Sequence, residues 1–209
     1  MKHRGWFITF EGGEGAGKST MIERTHQWLI DHEHVVVNTR EPGGTVLAEQ
    51  IRAIVLDQGN SALCATAELL LVFASRAQHL AELIRPALAQ GSTVLCDRFT
   101  DATWADQGGG RGMSADLIAT LENAVHGDLQ PDLTLLLDLP VLLGLERVSS
   151  RGKADRIEQE SVAFFDRVRQ TYLRRAASAP ERFVVIDASV DEQAVWQQLE
   201  RILQRRVSQ

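Results

Sequence analysis

The chain has 209 residues, 44% hydrophobic and 24% charged, which suits one α/β domain with a sizeable core and excludes a disordered chain. Its net charge of -6 argues against a protein that coats a nucleic-acid backbone, yet leaves a mononucleotide site open, since a few local cations suffice. No apolar stretch reaches membrane-spanning length and residues 1–6 lack the apolar run of a signal peptide, so a cytoplasmic protein with no membrane partner is expected.

Short apolar runs of strand length alternate with longer segments of helical period. Residues 6–10 read as a first strand and 18–31 as the helix behind it; a second strand at 35–37 leads into a helix over 46–57. A long amphipathic segment follows at 67–89, with Pro86 inside it, where the missing N–H and the ring are expected to end or kink the helix. Residues 93–96 read as the third strand, 114–126 as a helix, 133–137 as the fourth strand and 141–150 and 161–177 as helices. The fifth strand is expected at 183–186 and a last helix at 192–206. Continuously apolar strands separated by helices imply a parallel, doubly wound sheet covered on both faces. The least regular stretches, 100–113 and 151–157, are polar and rich in glycine or charge, and are expected to be working loops. Cys64 and Cys96 lack metal-ligand spacing and read as two reduced, mostly buried thiols. No repeat and no linker divides the chain, so residues 1–209 are read as a single domain.

Gly12, Gly13, Glu14, Gly15, Ala16, Gly17, Lys18 and Ser19, with Thr20 next, match G-x-x-x-x-G-K-[ST] directly after a strand and before a helix. Glycine lets successive N–H groups approach a phosphate with no Cβ in the way, and the helix points its positive end at the same anion. Lys18 then supplies a point charge to the β- and γ-phosphates, and the Ser19 hydroxyl is a ligand for Mg2+. The pattern predicts a nucleoside triphosphate site without naming the reaction, since GTPases, ATPases and kinases share it. Glu14 is unfavourable in an anion cradle unless it meets a cation, so it is expected to hold an arginine of a second-substrate site or to join the metal shell.

Asp97, Arg98 and Phe99 close the third strand at its carboxyl end, where open α/β sheets bind ligands. An aspartate there can hold magnesium, and the adjacent arginine can bridge two phosphates. At this point the chain resembles the bacterial thymidylate kinases. The resemblance rests on Phe10-Glu11-Gly12, on Thr39-Arg40-Glu41-Pro42-Gly43-Gly44-Thr45 and on Asp97-Arg98-Phe99-Thr100-Asp101-Ala102-Thr103. It continues through Gln107-Gly108-Gly109-Gly110-Arg111-Gly112 and Asp155-Arg156-Ile157-Glu158, so the blocks span nearly the whole chain. It implies a P-loop NTPase-like three-layer fold with a five-stranded parallel sheet, a homodimer, and transfer of the ATP γ-phosphoryl group to dTMP, giving dTDP and ADP.

The resemblance also implies roles. Lys18, Asp97 and Arg98 would be catalytic, with Ser19 and Asp97 on the metal and Arg40 and Arg98 at the acceptor phosphate. Glu14 would sit beside the acceptor. Arg76 would address the thymine edge, with Phe73 the nearest aromatic available to stack on the base. Thr103, Asp106 and Gln107 would line the nucleoside pocket. Asp155 and Glu158 would belong to a lid that folds over both substrates, about residues 147–160. Arg147, Arg151, Lys153 and Arg156 crowd into that stretch, which by charge alone also fits a solvated helix end. The phosphate loop has no arginine at its variable positions, and relatives with that pattern are similar in placing the catalytic arginine in the lid: Arg151 first, Arg156 second.

Two positions depart from the family pattern. Asp106 stands where a tyrosine usually packs on the deoxyribose, with Trp104 nearby as a steric substitute, and Val72 stands where many members carry the stacking phenylalanine. These departures keep two other readings in view: a kinase for another pyrimidine monophosphate, or a nucleotide-binding relative with impaired turnover.

Overall fold

A computed structural model describes residues 4–149 and 155–207. The five expected strands are β1 (Phe7–Glu11), β2 (Val36–Arg40), β3 (Thr93–Asp97), β4 (Leu133–Asp138) and β5 (Phe183–Asp187). They form one parallel sheet in the order β2-β3-β1-β4-β5. β1 is buried at every position, whereas β2 lies at an edge and is half exposed. That edge placement explains why β2 runs on through polar Asn38, Thr39 and Arg40 after its apolar signal has stopped.

Side chains alternate across β1. Ile8 and Phe10 pack with Leu95, Leu135 and residues of α1 (Lys18–Asp31) and α9 (Glu192–Arg206), among them Leu29 and Leu199. Phe7 points to the other face, where it joins Val94, Cys96, Phe99 and Leu88. On that side α8 (Val162–Ser178) brings Phe165 and Tyr172 against Leu136 and Phe183. Helix, sheet and helix layers therefore bury the sheet from both sides. The fold class is as expected from the sequence.

Three local expectations change. The 67–89 segment is α3 (Ala65–His79), a π-helical turn (Leu80–Ile84) and α4 (Arg85–Ala89). Pro86 does not end the run but, as the expectation of a local distortion has it, follows a widened turn in which Arg85 N–H reaches back five residues to Leu80 O. Residues 100–113 are mostly helical rather than an open loop, with α5 (Thr100–Thr103) followed by a π-helix (Trp104–Gly110). The glycines there serve close packing on α8: a Cβ on Gly109 would lie 2.2 Å from Thr171 Oγ1, and one on Gly110 2.3 Å from the Phe164 ring. Finally, Cys64 is exposed, while Cys96 is buried. Among the described residues the remaining helices are α2 (Val46–Leu56), a 3-10 turn at Gln58–Asn60, α6 (Ala115–His126) and α7 (Val141–Ser149).

Candidate active site

The backbone ladder continues past the strand ends and sets the site's frame. Arg98 N–H donates to Phe10 O at 2.9 Å and Glu41 N–H to Asp97 O at 2.9 Å, which holds the tips of β1, β3 and β2 side by side. From those tips a cavity of about 310 Å³ opens, lined on one side by Glu14 to Thr20 and on the other by Asp97, Arg98 and Arg76.

The phosphate loop wraps the start of α1. Gly17 takes a left-handed φ of 83° at the N-cap, and Lys18 Nζ donates to the carbonyls of Gly12 and Gly13 at 3.0 Å each. Burial, together with the nearby Arg98 charge, pulls the Lys18 ammonium below the ordinary lysine value. Gly15 turns with φ 72° against α7, so close that its Cβ would lie 2.2 Å from Gly144 O. The contact is reciprocal, since a Cβ on Gly144 would lie 2.3 Å from Glu14 O.

Arg98 adopts φ 67°, a left-handed conformation uncommon for a side-chain-bearing residue. The turn brings its guanidinium to the Glu14 carboxylate, with the Tyr172 hydroxyl at 3.2 Å and Asp106 at 3.8 Å. Glu14 thus meets a cation, and the cation is the arginine at the end of β3. Burial works against the Arg98 charge, but Glu14, Tyr172 and Asp106 more than offset it and raise its pKa. The Asp106 carboxyl is pushed up to about 6 by burial, against the opposing pull of Arg98. Asp97 Oδ1 is buried with no hydrogen-bond partner among the described residues.

Arg76, 1% exposed, is held on α3 by Glu41 (2.6 Å), Phe99 O (3.1 Å) and Thr103 Oγ1 (2.9 Å), and its Nη1 has no partner among the described residues. Glu41 also receives His79 Nδ1 at 3.0 Å. Arg76 and His79 hold the Glu41 carboxyl below its ordinary range, although burial opposes them. Gln107, Asp155 and Glu158 line the cavity as well.

Several expected residues fall elsewhere. Phe73 packs in the core with Leu69 and Ile118, and Val72 lines the cavity instead, because the helical step from Val72 to Arg76 is one full turn. Arg40 is exposed and pairs with Glu49 at 3.0 Å, outside the cavity lining. Trp104 Nε1 donates to Glu122 Oε2 at 2.5 Å, and its side chain is not part of the cavity lining. Arg156 reaches Val55 O and Glu68 rather than the cavity. Arg147 bonds Ala188 O at 2.9 Å. Arg151 and Lys153 lie outside the described residues.

Sequence reasoning overlooked the buried acids behind the site. Glu11, fully buried at the end of β1, accepts Phe99 N–H at 2.8 Å and the Tyr172 hydroxyl at 2.9 Å. Burial, with Asp101 nearby, pushes its carboxyl up to about 8. A charged residue directly after the apolar run of the first strand was the available signal; for Tyr172, on α8, there was none.

The parallel sheet, the glycine-rich loop between β1 and α1, and the Asp-Arg pair on the neighbouring strand define a P-loop NTPase fold, with one cavity reaching from the phosphate loop to that pair and beyond it to Arg76. The family model for thymidylate kinase matches residues 10–199. A thymidylate kinase of Pseudomonas putida is 57% identical over 199 residues, 95% of each chain, and one of Pseudomonas savastanoi is 60% identical over 185 residues, 88% of each. The crystal structure of thymidylate kinase from Ehrlichia chaffeensis superposes with a TM-score of 0.78 at 34% identity, covering 96% of this chain and 99% of that one. The chain belongs to the thymidylate kinase family.

Proposed function

We propose that this chain transfers the γ-phosphoryl group of ATP to dTMP, releasing dTDP and ADP. The observation that carries the reading is the shared cavity: a phosphate loop, the Asp97-Arg98 pair and the buried Arg76 open onto one space. Such a cavity can hold a triphosphate and a monophosphate in line, which is what phosphoryl transfer requires.

In this reading the loop amides and Lys18 hold the β- and γ-phosphates, while Arg98, steered by Glu14, faces the acceptor phosphate. The unpartnered Nη1 of Arg76 is a donor for a carbonyl on the base. Thr103, Asp106 and Gln107 line the nucleoside, and Val72 takes the place beside the base that Phe73 does not reach. Magnesium fits the donor set: Ser19 is at the loop's end, and Asp97 Oδ1 is a buried acceptor with no partner among the described residues. When bound, the ion neutralises charge on the phosphate oxygens. Arg151 is the catalytic arginine of this reading, supplying positive charge as the transfer proceeds.

Three further elements belong to the proposal. The chain acts as one kinase domain in the cytoplasm, and among the described residues no helix is long and apolar enough to cross a membrane. It works as a homodimer: Val46, Leu47 and Ile54 on α2 and Leu70 on α3 are apolar and exposed, on two helices that pack together.

A coupled ADP-release assay over a panel of nucleoside monophosphates tests the reading. The highest kcat/KM is expected with dTMP and magnesium; a higher value with another pyrimidine monophosphate, or no turnover with any, would reject it. Arg151→Ala is expected to lower kcat by about a hundredfold or more with little change in nucleotide affinity.

A further inference from the structure

Glu68 on α3 is 1% exposed, and none of the roles above uses it. A carboxylate so buried is costly unless its oxygens are fully engaged by donors. Here four contacts engage them. Gln107 Nε2 (2.9 Å) and Arg111 Nε (3.3 Å) donate to Oε1, while Arg111 Nη2 (3.2 Å) and Arg156 Nη2 (2.5 Å) donate to Oε2. Burial alone would raise the Glu68 pKa; Gln107, Arg156 and Arg111 more than offset it, so the group stays ionised.

The donors come from two different walls. Gln107 projects from the π-helix after α5 and lines the cavity. Arg156 belongs to a segment whose Asp155, Ile157 and Glu158 also line the cavity. That segment is fastened to α2 by Arg156 N–H on Leu56 O (3.2 Å) and Arg156 Nε on Val55 O (2.8 Å), and Arg111 pairs with its Glu160. Glu68 is the shared acceptor between them.

We propose that Glu68 is a positioning residue for the acceptor pocket: one buried carboxylate fixes Gln107 and the segment 155–158 at their lining positions together. The inference rests on reading this cavity as the dTMP site. The effect of Glu68 is expected on the acceptor side, because among the described residues its hydrogen bonds go to Gln107, Arg111 and Arg156 and none goes to the phosphate loop. A group that merely stabilises the fold would lower the melting temperature and leave the two substrates' constants in proportion.

The test is steady-state kinetics on the parent, Glu68→Gln, Arg156→Met and the double variant, with dTMP varied at saturating ATP and ATP varied at saturating dTMP. Glu68→Gln keeps the volume and removes the charge that three donors share. The expected result is a dTMP KM raised by roughly tenfold with the ATP KM within about twofold. Arg156→Met leaves the buried carboxylate with Arg111 and Gln107, and should reproduce the pattern more mildly even if Glu68→Gln folds poorly. The double variant should be no worse than Glu68→Gln, as expected for groups acting as a unit. A normal dTMP KM in the folded variants, or equal weakening of both substrates, overturns the inference alone. Absence of dTMP-dependent ADP release from the parent overturns the kinase reading and this inference with it.

Discussion

The hydroxyl of Tyr172 lies 2.9 Å from Glu11 Oε2 and accepts a hydrogen bond from Arg98 Nη1 at 3.2 Å, so the chain's single tyrosine joins a buried acid to the cation of the site. Burial first, and then the Glu11 charge, raises the Tyr172 pKa well above 10. A spectrophotometric titration reads this group alone, because no other tyrosine is present. The folded protein should show no tyrosinate absorbance at the pH where the denatured chain titrates, about 10. A transition there in the native protein would mean that Tyr172 is solvated.

Glu11 gives a second pH signature. Its folded pKa is about 8 against an ordinary 4.5, so the folded state binds the proton more tightly. The corresponding stability is fully present below the ordinary value and is lost as pH rises through about 8. Glu11→Gln carries no such proton and should gain stability relative to the parent across that window. Chemical denaturation at pH 5, 7 and 9 checks it; a constant difference between the two proteins would contradict the assignment.

How far the sequence foretold these features differs by region. The sheet, its flanking helices and the phosphate loop were legible because each is written in local pattern: apolar runs, helical period and glycine spacing. The strand-end pair Asp97-Arg98 was legible for the same reason. Residues 100–113 were misread because glycine carries two meanings, a turn or a surface against which another helix packs, and only α8 decides between them. Val72 lines the cavity at the helical position the sequence marked for a stacking ring, while Phe73, one position on, turns into the core. The buried carboxylates Glu11, Glu41 and Glu68 could not be ranked, since their partners come from distant elements: Tyr172, Arg76, and Arg111 with Arg156.

Gly144 lies within α7, where alanine ordinarily stabilises a helix by about 1 kcal/mol over glycine. Here the contact with Glu14 O at 2.3 Å from the added Cβ should reverse the sign. Gly144→Ala is expected to lower stability by roughly 1–3 kcal/mol and to raise the ATP KM, because the phosphate loop must shift to admit the methyl group. A thermal melt at or above the parent's would show that helix propensity wins.

Glu41 and Arg76 form an ion pair at 2.6 Å with side chains 3% and 1% exposed. Removing the charge on Glu41 leaves a buried guanidinium short of its counter-ion, so Glu41→Gln should cost on the order of 3 kcal/mol. Since Arg76 and His79 depress the Glu41 pKa, the pair's contribution is present above the ordinary carboxylate range and is lost as pH falls through the lowered value. The parent's advantage over Glu41→Gln, measured by denaturant titration, should therefore shrink in acid.

Asp106 lines the cavity, and in the proposed reading a bulkier ring at this position would crowd the sugar. Asp106→Tyr should raise the preference for dTMP over ribothymidylate, measured as the ratio of kcat/KM values, by about tenfold. An unchanged ratio would place sugar discrimination elsewhere.

The hydrogen bonds from Arg98 to Phe10 and from Glu41 to Asp97 have a wider consequence. In the proposed reading they make the spacing between the phosphate loop and the acceptor side at Arg98 a property of the peptide ladder, at roughly 4.8 Å per strand. Side chains around the rim can therefore vary, and with them the nucleotide accepted, while the distance the phosphoryl group travels stays the same. Redesign of such a kinase for new acceptors can leave its strand tips untouched and work on the helices that carry Val72, Asp106 and Glu68.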